Sequence, residues 1–334
     1  MNTPERILVR LPNWLGDAVL ALPAVAAVRA AFPSAFLAVA APPGIAPMFE
    51  ELTGVEQQEI LALEKQDETA RLRAGAFDTI LLLPNSFSSA WIAKRSGIRA
   101  RWGYAARGRR ALLTRAVARP KHAVHQAAYY AELVRGLGIT VSDDAPRIRA
   151  TERTQQRAAG VAAEAGSVEA GFSRPAVGFA PGAAYGHAKR WPPERVAQVI
   201  TRLVRERGAA CILVGAEGDR EAGRAIESSL PADVRVKNLI GRTDLRLLIG
   251  VLARCSAFVS NDSGAMHLAA AAGVPVTAIF GPTNDKATRP IGDHDVLVRE
   301  VFCRPCMLRE CPIDHRCMKR ISAEEVFASV VRRL

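Results

Sequence analysis

Between Thr79 and Ala131 the sequence has no aspartate or glutamate. Within that span, Lys94 to Lys121 holds ten lysines and arginines, with Trp91, Trp102 and Tyr104 close by or among them. A block of one sign repels itself unless a counter-charge is near. A plain solvated basic face remains an alternative, but the missing acids favour a surface that meets an anion. No G-x-G-x-x-G follows a strand-like run, which counts against dinucleotide binding. No nucleic-acid-module signature is present, so nucleic acid is not the expected partner. No apolar run approaches the ~20 residues that cross a bilayer. The longest alanine-rich stretch, Ala18 to Ala31, is broken by Pro23 and Arg29. Ile7 to Leu11 is too short for a secretory core and carries Arg10. A soluble, cytosolic protein is expected.

What is present points to two cores. A chain of 334 residues exceeds the usual single-core size, and 49% hydrophobic residues are enough to fill two. The net charge of +12 and a pI near 10.0 imply an anionic partner: nucleic acid, a phosphorylated small molecule or an anionic membrane. Arginine outnumbers lysine, so part of the excess reflects composition alone. Six cysteines in a reducing compartment read as thiols or metal ligands before disulfides.

The apolar pattern alternates short strand-like runs with helical ones. Arg6–Leu11 reads as a strand, Pro12–Asp17 as a loop, Ala18–Ala31 as a helix and Ala35–Ala40 as the next strand. That spacing is a βαβ unit and predicts a parallel sheet. Thr79–Leu83 adds a strand, and Ser86–Arg95 and His122–Leu137 add helices. Thr151 to about Arg174 reads as a polar helix followed by a linker. A second series then starts with Ala176–Ala180, a helix over Pro193–Arg207 stopped by Gly208, and a strand over Ala210–Val214. Ala257–Ser260 and Val274–Phe280 add strands. Ser322 and Glu325 form an S-x-x-E capping box before a last helix. The expected fold class is α/β, with two parallel-sheet domains over 1–165 and 175–320. Ligands of such sheets bind outside the carboxyl ends of the strands, so the polar loops are expected to line a central cleft that the two domains face.

Four loops and one cluster could carry chemistry. Asn261-Asp262-Ser263-Gly264-Ala265-Met266-His267 joins a strand to a helix; it is either a capped turn or an anion site at a helix N-terminus. Gly16-Asp17 starts the first helix, where Asp17 is either a cap or a general base, with Asn13 and Trp14 beside it. Lys189-Arg190 follows the first strand of the second half and is either a surface pair or a diphosphate clamp. Glu217 follows the second strand there, where an acid can bind ribose hydroxyls, though alone this signal is weak. Cys303-x2-Cys306-x4-Cys311-x5-Cys317 only loosely resembles a zinc knuckle; it is either a structural zinc site, with His315 competing as a ligand, or a compact loop of idle thiols.

Leu11-Pro12-Asn13-Trp14-Leu15-Gly16-Asp17, Lys189-Arg190-Trp191-Pro192, Asn261–His267 and Phe280-Gly281-Pro282-Thr283 occur in the order and spacing of the ADP-heptose lipopolysaccharide heptosyltransferases, glycosyltransferase family 9. With the terminal cysteines, the chain looks most like the family's type II members. The resemblance spans essentially the whole sequence. It implies a GT-B fold of two Rossmann-like domains, acceptor on the first and ADP-sugar on the second, with the final helix (about 322–334) returning to the first. It implies inverting transfer of L-glycero-D-manno-heptose from ADP-heptose to the first heptose of the lipopolysaccharide inner core. By position, Asp17 is the base and Lys189 holds the diphosphate. Arg190, Glu217, Asp262, Ser263, Gly264 and His267 hold the donor, and Asn13, Trp14 and Gly16 flank the acceptor pocket. No cofactor is required. The implied partners are ADP-heptose, a heptosylated Kdo-lipid A acceptor and the anionic inner face of the inner membrane, where the protein would sit peripherally. A type I enzyme or one with another core acceptor, and a non-catalytic basic nucleotide- or nucleic-acid-binding protein, are the competing readings.

Overall fold

The computed structural model describes residues 3–143, 145–163 and 175–334. The linker expected near 165–174 lies outside them. The chain divides into two units, Met1–Arg147 and Ile148–Leu334.

The first unit runs β1 (Arg6–Arg10), α1 (Leu15–Leu20), α2 (Leu22–Ala31), β2 (Phe36–Ala41), β3 (Glu59–Ala62), α3 (Glu68–Ala74), β4 (Thr79–Leu82), α4 (Phe87–Arg95), β5 (Ala100–Tyr104), β6 (Arg115–Val117) and α5 (Gln126–Gly136). Its sheet has the order β3-β2-β1-β4-β5-β6, and each neighbouring pair is parallel. Leu8, Ala38, Ile80 and Leu82 of the strands pack on Ala90 and Ala93 of α4. The single helix expected over Ala18–Ala31 is two helices. Pro23 has no N–H to give to the Val19 carbonyl, so the first helix stops at Leu20 and the second begins with proline in its first turn.

The second unit runs α6 (Glu152–Ala163), β7 (Ala176–Ala180), α7 (Pro193–Arg207), β8 (Ala210–Leu213), α8 (Arg220–Ser228), β9 (Lys237–Asn238), α9 (Leu245–Leu252), β10 (Ala257–Asn261), α10 (Gly264–Ala271), β11 (Val276–Phe280), α11 (Asp285–Thr288), β12 (His294–Val298), α12 (Arg316–Lys319) and α13 (Ala323–Val331). Its sheet order, β12-β11-β10-β7-β8-β9, repeats that of the first unit strand for strand, again all parallel. Gly208 closes α7 with φ of 60°, a left-handed conformation that suits glycine. In each sheet the order reverses beside the first strand, between β1 and β4 and between β7 and β10. Loops leaving those strand ends diverge and open a crevice for ligand.

Two boundary expectations change. The helix α6 was expected in the first domain, but it packs on α9: a Cβ on Gly250 would meet Thr154 and Ala158 at 2.9 Å. The last helix, α13, was expected to return to the first domain. Its apolar stripe Val326, Phe327 and Val330 instead joins Val199, Ile200 and Leu203 of α7 and Val259 and Ile279 of the second sheet. Each such apolar side chain taken from water contributes roughly 1.5–3 kcal/mol. Ser329 also bonds Thr277 at 2.8 Å and Asp295 at 2.7 Å. The capping box forms as expected, with Ser322 and Glu325 each bonded to the other's backbone N–H.

The basic span holds two strands, β5 and β6, that its arginine content hid. Arg109 is fully buried and bonds the Tyr104 carbonyl at 3.0 Å, the Pro84 carbonyl at 2.5 Å and the Ser89 hydroxyl at 3.2 Å. Burial lowers its pKa to about 10. Arg115 lies over the Trp102 ring at 5.0 Å, and Trp102 and Tyr104 are core residues. Part of the block is therefore structural, while Lys94, Arg95, Arg99, Arg107, Arg110, Arg119 and Lys121 remain exposed.

Candidate active site

In the second unit the polar residues gather at the β7/β10 switch point. Asn261 ends β10 and ties the two loops together: its amide donates to the Pro181 carbonyl at 2.7 Å, and its oxygen accepts from the Trp191 N–H at 3.2 Å. Lys189 follows β7 and is largely buried. Its Nζ lies 2.5 Å from Asp262 Oδ2 and 4.7 Å from the Tyr185 ring centroid. Thr283, after β11, donates to the same carboxylate oxygen at 2.6 Å. A buried charge pair survives only when its remaining valences are bonded, and Thr283 meets that need.

Ser263 is the N-cap of α10 but its side chain caps no backbone N–H; its hydroxyl is 3.0 Å from that of Ser260. The first turn of α10, starting at Gly264, thus presents backbone donors next to Asp262 and Lys189. Such a helix end accepts phosphate. His267 is buried in the same helix.

Arg190 donates to Asp219 at 3.3 Å. The Asp219 carboxylate also accepts from the Ala216 N–H at 3.1 Å, and it occupies the space that a side chain on Gly182 would need, 2.0 Å from that Cβ position. Glu217, expected at this place, is elsewhere: its side chain is 78% exposed and pairs with Arg220 at 3.3 Å. Asp219 was not singled out in the sequence, because two acids two residues apart after a strand are equivalent there. Only the turn over Glu217–Asp219 decides which one points back toward β7.

The segment from Val301 to Cys317 underlies this site. The Ala188 N–H bonds the Arg309 carbonyl at 2.9 Å, and His315 Nε2 donates to the Ala188 carbonyl at 2.7 Å. The Tyr185 hydroxyl donates to the Met307 carbonyl at 2.7 Å. Arg304 holds the Gly281 carbonyl at 2.9 Å and the Thr283 carbonyl at 3.1 Å. The cysteine-rich stretch is thus a brace for the loops carrying Lys189 and Thr283. Its cysteines are free, and Cys317 is packed in the core beside Met318. Burial first, then the thiols of Cys311, Cys303 and Cys306, pushes the Cys317 thiol up. Among the described residues no group of three or more His, Cys, Asp or Glu could hold a metal ion, so the zinc site considered for Cys303, Cys306, Cys311 and Cys317 is not assembled.

In the first unit the β1/β4 switch point carries Asp17, in the first turn of α1. The Tyr130 hydroxyl, from α5, is hydrogen-bonded to Asp17 and to Gln126. Burial first, then the Asp17 charge, raises the Tyr130 pKa well above its ordinary value, so the hydroxyl stays a donor. Asn13 accepts from Arg10 at 3.0 Å, and buried Arg10 pairs with Glu68 at 2.8 Å, which fixes the turn before α1. Trp14 is the N-cap of α1 and is exposed, and Gly16 lies within the helix. After β4, Asn85 donates to the Tyr129 hydroxyl at 2.9 Å, and the Tyr104 hydroxyl donates to the Tyr129 carbonyl at 2.6 Å. Arg10, Asn85, Tyr129 and Tyr130 were not singled out in the sequence, because each acts through a partner distant along the chain.

Two units of the same doubly wound order, one with a phosphate-competent helix start and the other with a held carboxylate, define a glycosyltransferase of the GT-B type. The chain matches the model of glycosyltransferase family 9 (heptosyltransferase) over residues 68–316, and it belongs to that family. It is 30% identical over 306 residues to the lipopolysaccharide heptosyltransferase 2 of Escherichia coli, covering 88% of each chain. It is 31% identical over 306 residues to the lipooligosaccharide heptosyltransferase 2 of Haemophilus influenzae, again covering 88% of each. The solved E. coli ADP-heptose LPS heptosyltransferase II superposes with a TM-score of 0.82 at 28% identity, covering 98% of both chains. The E. coli heptosyltransferase WaaC with ADP superposes at 0.73 and 19% identity over 98% of this chain and 100% of that one, which speaks to the fold.

Proposed function

We propose that this enzyme moves L-glycero-D-manno-heptose from ADP-heptose onto the first heptose of the lipopolysaccharide inner core, with inversion. The observation that carries the reading is the cluster of Lys189, Asp262, Thr283 and the uncapped start of α10 at one switch point. Family membership and the likeness to type II enzymes support the choice of donor and acceptor.

The first unit binds the acceptor and the second the ADP-sugar. The acceptor hydroxyl oxygen attacks the anomeric carbon from the face opposite the diphosphate. Its proton passes to the Asp17 carboxylate, the bond from carbon to the β-phosphate oxygen breaks, and ADP leaves. Tyr130 orients Asp17 and stabilises its ionised form. Lys189, Arg190 and the N–H groups of α10 meet the charge growing on the leaving diphosphate. Ser263, Gly264 and His267 hold the donor phosphates and sugar. Asp219, turned toward Gly182, is better placed than Glu217 to accept from the ribose hydroxyls. Asn13, Trp14 and Gly16 flank the acceptor. No helix is long and apolar enough to cross a membrane among the described residues. The enzyme works peripherally on the anionic cytoplasmic face of the inner membrane, where its lipid-linked acceptor lies.

The deciding experiment is a transfer assay with ADP-heptose and two Kdo-lipid A acceptors, one carrying and one lacking the first heptose. Product only from the heptosylated acceptor supports the reading. Product only from the other makes it a type I enzyme. No product, and no ADP release above the acceptor-free hydrolysis rate, with either acceptor removes the enzymatic assignment to these substrates.

A further inference from the structure

Among the described residues, one face of the helix α4 is left exposed. Ser89, Ala90 and Ala93 are buried against the sheet, whereas Phe87 is 50% exposed and Trp91 45% exposed. These two sit four residues apart, on one stripe of the helix, with ring centroids 6.4 Å apart and planes 16° from parallel. Lys94 and Arg95 continue the same stripe into the last turn, and both are exposed. The face is therefore aromatic at one end and cationic at the other. Its placement is firm. Ser86 caps the helix through the Ser89 N–H at 3.2 Å, and buried Arg109 bonds Pro84, Ser86 and Ser89 from below. The aromatic pair thus cannot turn inward without displacing that network.

We infer that this face of α4 is the seat of an anionic phospholipid surface, with Phe87 and Trp91 entering the headgroup–acyl boundary and Lys94 and Arg95 meeting lipid phosphates. The inference deepens the proposed peripheral membrane role and rests on it. Three observations favour lipid over a protein occupant. Tryptophan and phenylalanine beside cations are the side chains that settle at a bilayer interface. The span from Thr79 to Ala131 has no acid to repel anionic lipid, and Arg107, Arg110, Arg119 and Lys121 add exposed cations to it. A second copy of the chain would bring the same positive charges against these, which is unfavourable. The face also begins two residues after Asn85, at the β4 end of the acceptor unit. An acceptor anchored in lipid would therefore be met from the membrane side by the unit that binds it.

The test is flotation of the full chain with phosphatidylcholine vesicles, with and without phosphatidylglycerol, at rising salt. Wild type is expected to float with the anionic vesicles and to do so less as salt rises. Phe87→Ser with Trp91→Ser should lower partitioning by at least about tenfold at every salt concentration, because the loss is apolar. Lys94→Gln and Arg95→Gln should each lower it by about fivefold at low salt and little at high salt. Bromine-labelled acyl chains should quench tryptophan fluorescence in wild type, and Trp91→Phe, which keeps an aromatic ring, should abolish most of that quenching while still floating. Turnover of a delipidated, water-soluble acceptor should be unchanged in all these variants, which also establishes that they are folded. Equal flotation of the double aromatic variant and wild type would overturn the proposal. So would a wild type that ignores anionic vesicles, or an aromatic pair whose removal only converts a dimer to monomer. If wild type turns over no soluble acceptor, the enzymatic reading fails while the vesicle results stand by themselves.

Discussion

Lys189 Nζ lies 2.5 Å from Asp262 Oδ2, and both side chains are buried. The cation assigned to the donor diphosphate is held beforehand by a carboxylate of the adjoining loop. The pair therefore keeps a charged group in a dry site until a second anion arrives. Asp262→Asn should destabilise the second unit by about 3–5 kcal/mol, since it strands a buried lysine. ADP should then raise the melting temperature more in the variant than in wild type, because the diphosphate restores the missing counter-charge. Equal ADP shifts would mean that Lys189 does not reach the phosphates.

Asp17→Asn should lower kcat by about 10²–10⁴-fold, the range for loss of a general base, with ADP affinity unchanged. Tyr130→Phe should cost less, about tenfold, on the scale of one hydrogen bond to a charged group. Its more telling effect is on the pH profile. A hydroxyl that donates to a carboxylate favours the ionised form, so its removal should move the acidic limb of kcat/KM to higher pH. An unmoved limb in Tyr130→Phe would reduce Tyr130 to packing.

Asp219→Asn and Glu217→Gln separate the two acids near β8. Asp219→Asn should raise KM for ADP-heptose by at least about tenfold, the effect of losing a charged acceptor. Glu217→Gln, at an exposed pair, should change it by less than about twofold. The reverse order, read from initial rates, would restore Glu217 to the ribose.

Arg109→Met tests how the basic span is divided. Loss of a buried guanidinium bonded to backbone carbonyls should cost about 3–5 kcal/mol in urea unfolding. Arg107→Gln, on an exposed turn, should stay within about 0.5 kcal/mol. Similar costs would show that Arg109 is no more structural than its neighbours.

The anchoring of α13 should depend on acid. Arg333, then Ser329 and Arg332, holds the Asp295 carboxyl well below its ordinary value, and the Ser322 N–H, with Arg299, lowers Glu325 to about 2. Both folded values lie below the unfolded range near 4. Their stabilisation is complete above about pH 4 and is lost as pH falls toward 2. The hydrogen-exchange protection factors of the α13 amides, corrected for the intrinsic pH dependence of exchange, should therefore fall over that window, ahead of those of amides in β10. Asp295→Asn should flatten the dependence.

Much of the fold was legible along the chain, because strand–loop–helix alternation and the glycine and proline stops are local properties. The βαβ series, the α7 boundaries and the α13 capping box follow from residues a few positions apart. So do the loops after β1, β7 and β10, and with them the family. The strands β5 and β6 were hidden, since alternating arginine and aromatic residues read as a charged surface until burial is known. Which of Glu217 and Asp219 turns toward Gly182 depends on a turn whose direction two neighbouring acids do not encode. The burial of Arg109, the core position of Cys317 and the hold of Tyr130 on Asp17 depend on side chains brought together from distant segments. The same holds for the attachment of α6 to α9 and of α13 to the second sheet. Sequence by itself determined which residue types and which loops were present. Tertiary structure alone decided which charges are paired and buried, because desolvation and hydrogen bonding are set by neighbours in space.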